Sequence, residues 1–101
     1  MKRYTVEFAD SAEEDLFASY EWGCREWGEE AANRWARETR SKINTMLKTF
    51  PLGQSVAPES KNATVELRQM VVGRYRVIFT VKELEVRVFH ITGSYVEDRP
   101  S

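Results

Sequence analysis

Residues 65–91 read Val-Glu-Leu-Arg-Gln-Met-Val-Val-Gly-Arg-Tyr-Arg-Val-Ile-Phe-Thr-Val-Lys-Glu-Leu-Glu-Val-Arg-Val-Phe-His-Ile. Apolar residues return every second position through most of this stretch, the spacing of strands whose side chains alternate between two faces. Val65, Leu67, Gln69 and Val71 alternate with Glu66, Arg68 and Met70, which predicts a strand with one apolar and one mixed side. Gly73 marks a turn. Tyr75, Val77, Phe79 and Val81 then alternate with Arg74, Arg76, Ile78 and Thr80. Lys82 and Glu83 read as a two-residue hairpin loop pairing Val81 with Leu84. The last strand, Leu84 to Ile91, is apolar on both sides and therefore predicted to be central in its sheet. That pairing places Arg76, Ile78 and Thr80 on one face with Arg87 and Phe89. Arg68 joins them unless a bulge at Gly73 shifts the register.

Upstream, Tyr4, Val6 and Phe8 alternate with charged or polar neighbours and predict an N-terminal strand. Ser11 followed by Glu14 has the spacing of a capping box, which opens a helix by satisfying its free backbone donors. From Ala12, the residues Leu16, Tyr20, Gly23 and Trp27 recur every three or four positions, with Phe17 and Cys24 widening the stripe. Gly28 breaks the pattern. A second helix is expected from about Glu29 to Thr49, its apolar face carrying Ala32, Trp35, Ala36, Thr39, Ile43, Met46, Leu47 and Phe50. Pro51 ends it, because proline lacks the amide donor and restricts the residue before it. Leu52 to Ala63 is an irregular connection, a length at which loops often have a task; Lys61 near its end reads as a surface lysine. The expected class is α+β: an N-terminal strand, an antiparallel helical hairpin, then three antiparallel strands. The predicted core draws on Trp22, Trp27, Trp35, Phe50, Tyr75 and Phe79.

At 101 residues, of which 42% are apolar and 31% charged, the chain has the composition of one ordinary globular domain spanning 1–101 and is too apolar to be disordered. The single cysteine, Cys24, has no second thiol for a disulfide or a cysteine metal site. No stretch approaches the ~20 apolar residues of a membrane span, and the alternation of residues 1–8 is unlike an export signal. These features predict a cytoplasmic protein with no membrane association. The formal net charge of −1 argues against non-specific attraction to nucleic acid, although the C-terminal part is the more basic.

The sequence has no glycine-rich phosphate loop, no metal-spaced His/Cys/Asp cluster and no nucleophile set beside a base. It predicts no cofactor, no metal and no small-molecule substrate. His90 falls on the apolar side of the expected central strand and reads as a core histidine. The arginines of the sheet carry the functional signal. A planar guanidinium offers two parallel charge-assisted hydrogen bonds to phosphate or carboxylate, so the face suits single-stranded RNA, with Phe89 and Tyr95 for stacking, and equally the carboxylates of a protein. On the second helix Arg34, Arg37, Arg40 and Lys48 cluster opposite the apolar stripe, a solvated polar face or a contact surface for an acidic partner.

The order of elements, with Phe50-Pro51-Leu52-Gly53 closing the second helix, resembles the RelE/ParE superfamily of bacterial type II toxins. The matching segments are Ala12-Glu13-Glu14-Asp15-Leu16, Leu67-Arg68 and Gly73-Arg74-Tyr75-Arg76-Val77-Ile78-Phe79. The resemblance spans nearly the whole chain and implies a cognate antitoxin as partner, whose flexible segment wraps the toxin. Within it, the RelE branch implies a ribosome-dependent mRNA endonuclease. Arg68 would then stabilise the scissile phosphate, with Arg76 and Tyr95 in support. Tyr95 stands where some members carry a catalytic histidine, and a phenol of ordinary pKa ~10 is a poor base. Val96, Glu97 and Asp98 occupy the region where RelE is basic. The ParE branch implies a protein that poisons DNA gyrase without a catalytic set of its own, and the long hairpin and near-neutral charge fit it better. On that reading Arg34, Arg37, Arg40 and Arg87 are the candidate contacts to antitoxin or target. A third alternative is an orphan binding module that has lost toxicity.

Overall fold

The computed structural model describes residues 3–93. A strand β1 (Thr5–Phe8) leads into α1 (Asp10–Trp27) and α2 (Glu29–Thr49). A 3-10 turn at Pro51–Gly53, a short strand β2 (Ser55–Val56) and a second 3-10 turn at Pro58–Asn62 then connect to β3 (Arg68–Val72), β4 (Tyr75–Lys82) and β5 (Glu85–Gly93). The five strands form one sheet in the order β1-β5-β4-β3-β2. β3, β4 and β5 pair antiparallel as the alternation predicts, β2 adds an antiparallel edge, and β1 runs parallel to β5. The sheet is therefore mixed, and β5 lies inside it between β1 and β4.

Only Gly28 separates the helices, at φ 98° and ψ 157°, a region of backbone space that is essentially reserved for glycine. Its carbonyl opens α2 by accepting from Ala32 N–H, while its own amide closes α1 on Cys24 O. The hairpin lays Ala12, Leu16, Ile43 and Leu47 on the sheet, where they pack with Met70, Val77, Phe79, Val86, Val88 and Ile91. Ile43, Leu47, Val77, Phe79 and Val88 are completely buried.

Several expectations need correction. Of the aromatic residues assigned to the core, Phe79 is buried, whereas Trp35 and Tyr75 are partly buried against its margin. Trp27 is 46% exposed and Phe50 68% exposed. The capping box does not form: α1 starts at Asp10 after Ala9, with no side-chain cap. Ser11, already inside the helix, gives its hydroxyl hydrogen to Phe89 O at 2.6 Å.

Strand β3 begins at Arg68 rather than Val65, and its faces are reversed. Met70 pairs with Val77 and is buried, while Val71 is 69% exposed. The β4–β5 turn sits one residue later than expected, with Lys82 opposite Glu85 and Thr80 opposite Arg87. This displacement moves the pairing by two residues in all, so the faces near the turn survive. A bulge then intervenes: Phe79 pairs with Val88 but Ile78 pairs with His90. The extra residue, Phe89, inverts the strand beyond it. Ile91 turns into the core at 2% exposure, and His90, expected inside, presents a half-exposed side chain.

β1 ends at Phe8, opposite Val88, so among the described residues the edge of β5 beyond that point has no strand neighbour. Side chains of α1 cover it. Besides the Ser11 bond, the Asp15 carboxylate accepts from Ile91 N–H at 3.0 Å and lies 3.1 Å from His90 Nδ1. Covering exposed edge groups in this way prevents them from templating another chain.

Candidate functional site

Strand register sorts the sheet's arginines. Arg68 pairs with Phe79 and so shares the helix-packed face. Arg76 and Arg87 stand on the other face, with Gln69, Ile78, Thr80 and, after the bulge, His90. Arg68 and Arg76, expected together, are thus on opposite sides of the sheet.

Each of these arginines is engaged within the fold. Arg68 Nη1 donates to Gln54 O at 2.6 Å and, more weakly, to Leu52 O at 3.5 Å, while Nη2 meets Glu66 at 3.1 Å. It ties the Pro51–Gly53 turn to the start of β3. Its Nε is buried without a partner among the described residues. Arg76 grips Glu59 with both arms, one at 3.0 Å, and bonds Gln69 Oε1 at 2.8 Å. The Pro58–Asn62 turn is thereby tied to the sheet face. Hydrogen bonding to Arg76, then a backbone hydrogen bond, pulls the Glu59 carboxyl down to about 2. Arg87 pairs with Glu7 across β5 and β1 at 3.0 Å, with its guanidinium 6.0 Å from the Phe89 ring.

On the hairpin, Arg40 forks onto Glu13 of α1, one arm at 3.2 Å, and lies 4.8 Å from the centre of the Phe8 ring. The Arg40 hydrogen bond outweighs partial desolvation and lowers the Glu13 carboxyl pKa. Arg40 thus links α2 to α1 and β1. Arg34 and Arg37 are exposed on α2, so the cluster expected on that helix separates into a structural arginine and two outward ones. Tyr95 lies outside the described residues. Among the described residues no group of three or more His, Cys, Asp or Glu side chains could hold a metal ion, and no helix is long and apolar enough to cross a membrane.

A cleft of about 330 Å³ opens between the hairpin tip and the β3–β4 turn, lined by Trp22, Trp27, Trp35, Glu38, Thr39, Lys42, Val72, Gly73, Arg74 and Tyr75. Trp22 and Trp27 meet edge to face at 5.3 Å, Trp27 and Trp35 are 6.2 Å apart at 65°, and Trp35 lies 5.1 Å from Tyr75. Gly23 makes the arrangement compatible with helical backbone, since a Cβ there would stand 2.9 Å from the Trp27 ring. Beside the cleft, Arg37, Glu38, Ser41 and Lys42 line a shallow trough. Reading these tryptophans as core missed the site. The available signal was that all the tryptophans of the chain fall between positions 22 and 35, on both sides of the helix-breaking Gly28.

Comparison with known proteins fits this architecture. The family model for the ParE toxin of the type II toxin-antitoxin system, parDE, matches residues 6–94. A solved structure titled "Chromosomal ParDE TA system from P. aeruginosa" is similar with a TM-score of 0.73 at 18% sequence identity, over 90% of this chain and 96% of that one. At that identity the likeness concerns the fold. No sequence among curated proteins matches. The strand-hairpin-sheet order and the match along almost the whole chain lead to one assignment: the chain belongs to the family of ParE toxins of type II toxin-antitoxin systems.

Proposed function

We propose that the chain is a toxin that inhibits DNA gyrase and is neutralised by a cognate antitoxin, in preference to an mRNA endonuclease. Family membership supports the toxin reading, and the P. aeruginosa relative is itself described as part of a ParDE system. The observation that carries the choice of target is the placement of Arg68 and Arg76 on opposite faces of the sheet. A phosphate held by one is out of reach of the other, and the fork of Arg76 is committed to Glu59. In-line cleavage of RNA requires its charge-stabilising groups to converge within hydrogen-bond distance of one phosphate. A toxin acting by protein contact has no such requirement. The net charge of −1 also suits a protein target better than ribosomal RNA.

In this reading Arg34 and Arg37, exposed on α2, make the polar contacts to antitoxin or gyrase. Arg40 and Arg87 contribute chiefly by holding the surface in shape through Glu13 and Glu7. The test is expression in cells lacking the antitoxin. DNA-damage signalling with intact mRNA supports the reading, whereas cleaved mRNA with normal plasmid supercoiling replaces it with the ribosome-dependent alternative. Harmless expression of folded protein would favour a binding module without toxicity.

A further inference from the structure

We propose that the tryptophan cleft at the hairpin tip is a socket for one bulky apolar side chain of the antitoxin, carried on an acidic segment that runs beside Arg37 and Lys42. This rests on the antitoxin reading above and gives that contact a place and a chemistry. Trp22, Trp27 and Trp35 meet at steep angles of 89° and 65°, so they stand as walls and leave about 330 Å³ between them and Tyr75. That volume lies at the lower end of the ~300–1,000 Å³ typical of ligand pockets. The walls come from α1, α2 and β4, so the cavity is framed by regular elements. Trp27 remains 46% exposed, and an apolar side chain seated against it would remove that aromatic surface from water.

Charge selects the flanks of the occupant. The trough beside the cleft is lined by Arg37 and Lys42 with Glu38 as its one acidic residue, and the cleft itself shares Glu38 and Lys42 and adds Arg74. A cationic anchor would suit the aromatic faces but would enter beside Arg37 and Lys42. An apolar anchor between carboxylates satisfies both the walls and the rim.

Because the cleft holds all three tryptophans of the chain, their emission reports its occupancy directly. The cognate antitoxin, with any tryptophan of its own replaced by phenylalanine, is titrated into the toxin. A shift of the emission maximum is expected on binding. Trp27→Ala, at an exposed position, should weaken binding by about tenfold or more. Lys42→Glu should weaken it by several-fold and flatten its salt dependence. Both variants are first checked for wild-type circular dichroism, and Lys42→Glu serves alone if Trp27→Ala is misfolded. Failure of the wild-type protein to bind at all would sink the antitoxin reading, and this inference with it. Wild-type binding with unshifted emission and unchanged affinity in Lys42→Glu would overturn the inference while the antitoxin reading stands. If Tyr95→Ala shifts the emission of free toxin as antitoxin shifts that of the wild type, the socket belongs to the chain's own C-terminal residues, and the proposal is overturned.

Discussion

Replacing Arg68 by alanine separates a structural arginine from one that handles phosphate. In the folded chain its guanidinium donates to Gln54 O at 2.6 Å from a side chain only 18% exposed. A charge-assisted bond to a backbone acceptor in such a setting contributes about 1.5–3 kcal/mol. The pair with Glu66, whose own side chain is 57% exposed, adds at most ~1 kcal/mol after screening. Against this, the wild-type protein already bears the desolvation of an unpartnered Nε, which the substitution relieves. A net loss of about 2 kcal/mol follows, or ~8–16 °C in Tm for a domain near this size. Urea unfolding followed by tryptophan emission measures it. Arg68→Met, which retains most of the aliphatic stem, should recover only the packing part. A loss below ~0.5 kcal/mol, the range of an ordinary surface change, would refute the reasoning. If such a stable Arg68→Ala protein were also non-toxic, the phosphate-stabilising role would return as the better account.

Other consequences are simpler to state. Ile43→Ala empties a fully buried site between helix and sheet and should cost about 2–5 kcal/mol. Val71→Ala, at a position 69% exposed, should stay within ~0.5 kcal/mol while Met70→Ala on the buried side of the same strand costs about 2–5 kcal/mol, and denaturant titration of these two tests the reversed faces of β3. Gly28→Ala would meet no atom within 4 Å, yet it forces a side chain to φ 98°, so strain alone should cost about 1–3 kcal/mol, measurable as a lower urea midpoint at unchanged slope. The pH dependence centres on Glu59, whose folded carboxyl is drawn from an ordinary 4.5 to about 2 by Arg76. A depressed carboxylate stabilises the fold above its unfolded pKa and loses that stabilisation as pH falls through the folded value. The advantage of wild type over Glu59→Gln should therefore be constant above pH 4.5 and shrink between pH 4.5 and about 2. An advantage that is flat across that window would remove Arg76–Glu59 from the account.

The sequence made local structure legible and left long-range pairing hidden. Helix α2 runs from Glu29 to Thr49 as its apolar period, Gly28 and Pro51 require, because each of those signals acts within a turn of the chain. The parallel union of β1 with β5 joins residues about eighty positions apart, and nothing in the alternation of Tyr4, Val6 and Phe8 names the partner. The bulge at Phe89 is invisible for a related reason: Val88, Phe89 and Ile91 are all apolar, so strict alternation and a one-residue slip look alike. Ser11 shows competition between two local uses of one hydroxyl, since the spacing to Glu14 suits a cap while the open edge of β5 offers Phe89 O at 2.6 Å. Arg76 and Arg87 share a face as the alternation requires, whereas Arg68 lies on the other, because the face of β3 depends on its register with β4 and not on its own composition. Hydrophobicity alone cannot tell a core tryptophan from one that walls a cleft, as Trp22, Trp27 and Trp35 do.

The decisive measurement is supercoiling of relaxed plasmid by purified DNA gyrase, with the protein added at increasing concentration. Loss of supercoiling that antitoxin restores is the predicted result. Undiminished supercoiling at saturating, folded toxin would contradict it.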